Sequence, residues 1–256
     1  MKLFKKVLAG VAVAAALATS AYAVPITVGG ITWDPDSPID FSSASLAIHQ
    51  TINPAGVLSG FGTINTINGS SIVCAGCELT FVFGGFTPLT GVIFPTIGGS
   101  QILYKDGFVN VYVDFIPETF INSNVATMTL ASTSDGALWL GLLGHNGLDG
   151  SSFTGTVNAT GTRADSLGGG GLLDVALGAA GGLAGSNLNT NTMADFADMT
   201  FSTSFTTFLN NSLLDVLGTG NFKGDSVGNR VPEPESLALV GLGLMGLAAS
   251  RRRKPV

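Results

Sequence analysis

Two cysteines, two histidines and a scatter of aspartates are the residues of this chain whose types and spacing invite chemistry. Cys74-Ala75-Gly76-Cys77 is the one cysteine pair. A C-x-x-C can carry thiol redox chemistry, hold zinc, attach a haem or close a local disulfide, and its surroundings decide which. Haem attachment needs a histidine next, where Glu78 stands, and zinc would have to borrow His49 and His145 at spacings that match no common finger. No βαβ-like pattern frames the pair as a thioredoxin site would require.

The acid–base inventory is thin. His49 lies in a strand-like stretch and His145 in the turn-like Gly144-His-Asn-Gly147, but neither accompanies a nucleophile motif such as G-x-S-x-G. Glycoside hydrolysis needs two carboxylates that face each other. Asp114 and Glu118 qualify only as any acidic pair would. Asp34, Asp36 and Asp40, set among Trp33, Pro35 and Pro38, could converge on Ca²⁺, yet no glycine turns the loop and no bidentate glutamate closes it. A solvated acidic loop is the expectation there. The glycine run from Gly168 to Gly185 lacks the Lys-Ser/Thr of a phosphate loop, so a flexible loop leading into a short small-residue segment is expected. No catalytic residue, metal or cofactor is expected, and the chain reads as no enzyme.

The elements that would position these residues read as short strands. Leu46 and Ile48 alternate with polar neighbours, and Leu79–Phe83 is a compact β-rich run stopped by Gly84-Gly85 and Pro88. Asn68-Gly69 reads as a hairpin turn delivering Cys74 to a rising strand, and Asp106-Gly107 as a hairpin between 101–105 and 108–115. In the second, Val109, Val111, Val113 and Phe115 share a face. Ala126–Ala131 alternates, Ser134-Asp135-Gly136 turns, and Leu138, Leu140 and Leu142 line a return strand. Two more alternating runs are 153–160 and 199–208, and 222–229 reads as a polar linker. Many short strands between turn signals predict a mainly β, antiparallel sandwich, jelly roll or barrel, with the sandwich or jelly roll preferred.

Both ends of the chain carry addresses. Lys2, Lys5 and Lys6, an apolar run from Val7 to Ala18, and Ala21-Tyr22-Ala23 form a secretory signal peptide over residues 1–23, with Val24 first after cleavage. At the other end, Pro232 and Pro234 stiffen a hinge, and Leu237 to Ala249 forms an uncharged apolar helix. Arg251, Arg252, Arg253 and Lys254 follow and hold that end in the cytoplasm. The order Pro232-Glu233-Pro234, apolar run, basic cluster resembles the PEP-CTERM sorting signal of Gram-negative bacteria, over residues 231–256 only. The resemblance implies transit of the inner membrane, transient processing by an exosortase near Pro-Glu-Pro, and delivery to the cell surface or an exopolysaccharide matrix.

Between these addresses, residues 24–230 form one expected secreted domain. It keeps four of the 11 Lys+Arg and 15 of the 17 Asp+Glu, a net charge near −11. So acidic a surface disfavours nucleic acid and anionic lipid. Export also favours one reading of the cysteines over a reduced pair or a redox or metal site: in an oxidising compartment a Cys74–Cys77 disulfide stapling a turn is expected. Three functions follow as expectations. The first is a structural protein of the surface or matrix. The second is a carbohydrate- or calcium-binding β-sandwich that exposes aromatics such as Trp33, Tyr112 or Trp139. The third is a secreted hydrolase.

Overall fold

The computed structural model describes residues 24–35, 39–44, 46–71, 74–89, 100–116, 128–160, 163–208 and 215–227, with residues 241 and 244. The chain divides into two compact units, Pro25–Gly228 and the two ends, Met1–Val24 with Asn229–Val256. Of the second unit only Val24, Gly241 and Leu244 are described, the last two helical. Among the described residues no helix is long and apolar enough to cross a membrane. The expected signal peptide and most of the apolar C-terminal helix lie outside the described residues.

Strands build the first unit: β1 (Ile26–Val28), β2 (Ile31–Trp33), β3 (Phe41–Ala44), β4 (Leu46–Ile52), β5 (Leu58–Thr63), β6 (Thr66–Ile67), β7 (Glu78–Pro88), β8 (Ser100–Asp114), β9 (Ala137–Gly144), β10 (Phe153–Thr160), β11 (Arg163–Val175), β12 (Met199–Phe208) and β13 (Asp215–Gly224). Their pairings are antiparallel, and the ladder closes because β13 pairs with both β12 and β4. β9 and β10 share one position in the ring. Long β8 pairs with β10 through Ser100–Tyr104 and with β9 through Phe108–Val113, and β11 divides between the same two strands. The result is an eight-strand antiparallel barrel with extra strands. This corrects the expected sandwich or jelly roll: a closed ring removes the free edges that two packed sheets would keep.

An eight-strand barrel is just wide enough inside for side chains. Phenylalanine fills this one. Phe81, Phe83, Phe86, Phe153, Phe201, Phe205 and Phe222 are all within a few per cent of complete burial, each worth about 1.5–3 kcal/mol of transfer free energy. Inward-facing glycines make room for them. A Cβ added at Gly60 would lie 2.5 Å from the Phe83 ring, at Gly62 2.8 Å from Phe81, at Gly169 2.3 Å from Phe153, and at Gly218 2.6 Å from Phe205. Much of the glycine content is thus a packing requirement of the core.

One end of the barrel, where β7, β9 and β12 begin, is sealed by aromatics. Trp33, Phe41 and Trp139 meet with ring centroids 5.8–6.0 Å apart, and Trp139 Nε1 donates to Val28 O at 2.9 Å. The β1–β2 hairpin brings Trp33 there through a Gly29-Gly30 turn whose two φ angles are both positive.

Several local expectations change. Asp106 and Gly107 do take positive φ, but within one continuous 15-residue strand, opposite a second irregularity at Gly84-Gly85 in β7. The register is the same on either side, Gly84 opposite Phe108 and Phe86 opposite Asp106, so Gly85 and Gly107 interrupt the ladder together without an extra residue on either strand. Asn68-Gly69 makes the expected tight turn, with Ile67 and Ser70 exchanging hydrogen bonds, yet among the described residues no return strand follows it and Cys74 sits at a bend before the turn at Ala75-Gly76. Gly168–Gly171 belongs to β11 and Phe222 to β13, where sequence patterns suggested loop and linker. Met128–Thr133 is loop and turn, and residues 126–127 lie outside the described residues. Phe115 falls just beyond β8 and is exposed.

Candidate functional site

Cys74 and Cys77 are joined in the loop before β7, their Cα atoms 5.7 Å apart, the ordinary span of a disulfide. Both pack partly against the core. The acidic loop is stitched down by its neighbours: Asn68 Nδ2 donates to the carbonyls of Asp34 and Asp40, 2.8 Å each, and Asp40 Oδ2 accepts from the backbone and hydroxyl of Ser226. Asp36 lies outside the described residues. Among the described residues no three His, Cys, Asp or Glu side chains are placed to hold a metal ion.

Each histidine is paired with an aspartate. His49 Nε2 lies 2.5 Å from Asp215 Oδ1 on adjacent strands, and His145 Nδ1 lies 2.8 and 2.9 Å from the two oxygens of Asp174. A hydroxyl nucleophile on either imidazole is not found among the described residues. Asp114 caps the end of β8 by accepting from Ile116 N, and its suggested partner Glu118 lies outside the described residues. Trp33 and Trp139 are buried and Tyr112 is half-buried, so these residues form no exposed aromatic platform. That removes the surface on which the carbohydrate-binding expectation relied.

Two hollows remain to be weighed. Inside the barrel, near the end opposite the Trp cluster, a cavity of about 20 Å³ is bordered by Gln50, Leu58, Tyr104, Phe153, Thr203 and Phe205. That is room for about one water. Burial also pushes the Tyr104 phenol up to about 12. This hollow is therefore too small for any ligand larger than a water.

The second hollow is an outer cleft of about 350 Å³ between the loop after β9 and the turn before β12. Leu148, Asp149, Ser151, Thr154, Gly170 and Asp195 are among its walls. Both of its loops are pinned to β11. On one side His145 N donates to Leu172 O while the His145 ring meets Asp174. On the other, the buried Asp198 carboxylate accepts from the backbone of Val175, Thr190 and Asn191 at 2.6–2.7 Å. Asp149 Oδ1 accepts from both Ser151 N and Ser151 Oγ, which holds its carboxyl below the usual carboxylate range. Asp195 Oδ2 and Asp149 Oδ1 lie 3.4 and 3.7 Å from the point where a Cβ on Gly147 would stand, so both carboxylates face one hollow. Asp195 and Phe196 have φ of 54° and 66°, and the Phe196 side chain is 78% exposed. Sequence patterns pointed to none of Asp149, Asp195 and Phe196. The Asp149-Gly150 turn dipeptide was the one local signal available.

The first unit is thus a closed antiparallel barrel with polar loops pinned to its outer wall. The second carries the identification: residues 230–254 match the family model of the PEP-CTERM protein-sorting motif, so the chain bears that C-terminal sorting signal. The match covers Pro232, Glu233, Pro234, Arg251, Arg252, Arg253 and Lys254, all outside the described residues. It supports an exported protein that passes the membrane toward the surface and is processed by an exosortase. No curated protein and no solved structure matches the chain.

Proposed function

We propose that this protein is a non-enzymatic component of the cell surface or extracellular matrix, held among exopolysaccharide after an exosortase has removed its tail. The observation that carries this reading is the sorting motif at residues 230–254. The barrel suits such a role in two ways. Among the described residues its ring closure leaves no long free edge to pair with other chains, and its core is filled by side chains. Its acidic surface repels nucleic acid and anionic lipid but leaves neutral polysaccharide accessible. The Cys74–Cys77 disulfide belongs to the oxidising compartment this reading requires.

The test is delivery and processing. Intact-mass analysis of the exported protein is expected to show Val24 at the N-terminus and loss of everything beyond the Pro232-Glu233-Pro234 region. Deleting residues 231–256 is expected to leave a folded protein that no longer reaches the surface fraction. A surface-retained species that still carries Arg251–Lys254 would sink the proposal.

A further inference from the structure

We infer that the outer cleft between the loop after β9 and the turn before β12 binds a neutral saccharide. The assignment deepens the proposed function and takes only its biological setting from it. Size comes first: about 350 Å³ is within the range of small-molecule clefts, whereas the barrel's interior cavity holds no more than a water.

Chemistry selects the class of ligand. The walls offer the Asp149 and Asp195 carboxylates, the Ser151 and Thr154 hydroxyls and the bare backbone of Gly170. A carboxylate accepting from a sugar hydroxyl makes a charge-assisted hydrogen bond, about twice as strong as a neutral one. No lysine or arginine lines the cleft among the described residues. Two uncompensated carboxylates there repel phosphate, sulfate and uronate groups. Among the described residues no third His, Cys, Asp or Glu joins the two carboxylates to hold a metal ion, and the neighbouring Ser151 and Thr154 hydroxyls favour a neutral polyol over an organic cation.

Phe196, next in sequence to Asp195, supplies the apolar contact. A bulky residue at positive φ is an outlier, and it directly follows a second left-handed residue. Backbone of this kind persists where surrounding structure over-determines it, and it clusters at binding sites. Here the hydrogen bonds that hold the turn are Phe196 N to Met193 O and Met193 N to Ala197 O, with Asp198 fixed to β11 beneath it. The outcome is an exposed phenyl ring on the residue that follows Asp195 of the cleft wall, with fully exposed Leu148 on the opposite loop. The negative face of an aromatic ring suits the weakly positive C–H face of a pyranose. Carboxylates for hydroxyls and a ring for the C–H face together make a saccharide site.

The test uses the secreted, processed protein and titrates it with tetrasaccharides of glucose, mannose and galactose, with polygalacturonate as the anionic control. At least one neutral tetrasaccharide is expected to bind saturably. Phe196→Ala and Asp195→Asn are each expected to weaken it tenfold or more with unchanged unfolding midpoints, because both side chains are exposed and asparagine accepts the left-handed conformation. Absence of saturable binding, equal affinity for polygalacturonate, or binding undiminished in both variants would overturn the assignment and leave the sorting result untouched. Release of new reducing ends would overturn the non-enzymatic reading as well, with Asp149 and Asp195 as the carboxylates to replace first.

Discussion

The two faces of β11 put the same residue to opposite uses. Gly169 and Gly171 point into the barrel, where a Cβ would come within 2.3 and 2.9 Å of the Phe153 ring, and both are hemmed by backbone carbonyls as well. Gly168 and Gly170 point outward, where the nearest heavy atoms to an added Cβ are the backbone oxygens of Thr203 and Phe201, at 3.2 and 3.6 Å. Gly170 and Gly171 both border the cleft. Inside, absence of a side chain is what lets phenylalanine fill the ring. Outside, it leaves a strip of open backbone that a ligand can approach. A glycine-rich strand is therefore two different devices, separated by the two-residue period of the strand.

The largest effect expected from that contrast is on the inner face. Gly169→Ala forces the Phe153 ring and the Thr154 carbonyl to move, and overpacking of this kind costs about 1–3 kcal/mol. Urea unfolding of the exported protein is the measurement, read as a lower midpoint at unchanged slope. Adding Phe153→Leu to Gly169→Ala is expected to recover part of the loss, because the two sites are in contact and such pairs couple by about 0.5–3 kcal/mol. Strict additivity of the two substitutions would break the claim that this glycine exists for that ring.

An intermediate effect concerns the inner face at the cavity end. Burial disfavours the Tyr104 phenolate, which raises its pKa from 10.0 to about 12. The sign follows directly: a group whose folded pKa lies above its unfolded value contributes stability that is full below about pH 10 and is lost as pH climbs through about 12. Absorbance titration of the processed protein is expected to show the Tyr104 phenol ionising only as pH climbs toward about 12. Tyr104→Phe is expected to abolish that late step and to flatten the loss of stability between those pH values. Ionisation of Tyr104 near pH 10 in the folded protein would contradict the packed interior.

How much of this was legible beforehand depends on whether the signal was local. The alternation of Val109, Val111 and Val113 declared β8, and that of Met199–Phe208 declared β12, because the period of a strand needs no partner to be read. Ring closure was not legible, since it rests on β13 pairing with β4 across most of the chain. Asp106-Gly107 takes positive φ within a continuous strand as it would in a hairpin turn, so the dipeptide gave the conformation and misled on the topology. Gly168–Gly171 looked like a loop because glycine is depleted in strands. Only the phenylalanines facing it from other strands explain its place in β11. Asp149 and Asp195 are distant in sequence and meet only because Asp174 and Asp198 tie their loops to the same strand end.

The smallest expected effect is the most discriminating one, Gly170→Ala. The nearest atom to its new methyl group is Phe201 O at 3.6 Å, an ordinary contact, and the backbone there is extended. Substitution of glycine at a compatible position restricts the unfolded chain, which is worth a gain of about 0.4–1 kcal/mol at most. The unfolding midpoint is therefore expected to stay level or rise slightly, in contrast to Gly169→Ala one residue away. The methyl would nevertheless project where the cleft has open backbone, so affinity for whichever neutral tetrasaccharide binds is expected to fall while stability does not. If Gly170→Ala loses as much stability as Gly169→Ala, the outward glycines are packing devices too and the two faces of β11 are not distinct. If stability holds and affinity holds with it, the outer strip is open backbone that no ligand approaches, and the cleft's contacts are confined to the loops that carry Asp149, Asp195 and Phe196.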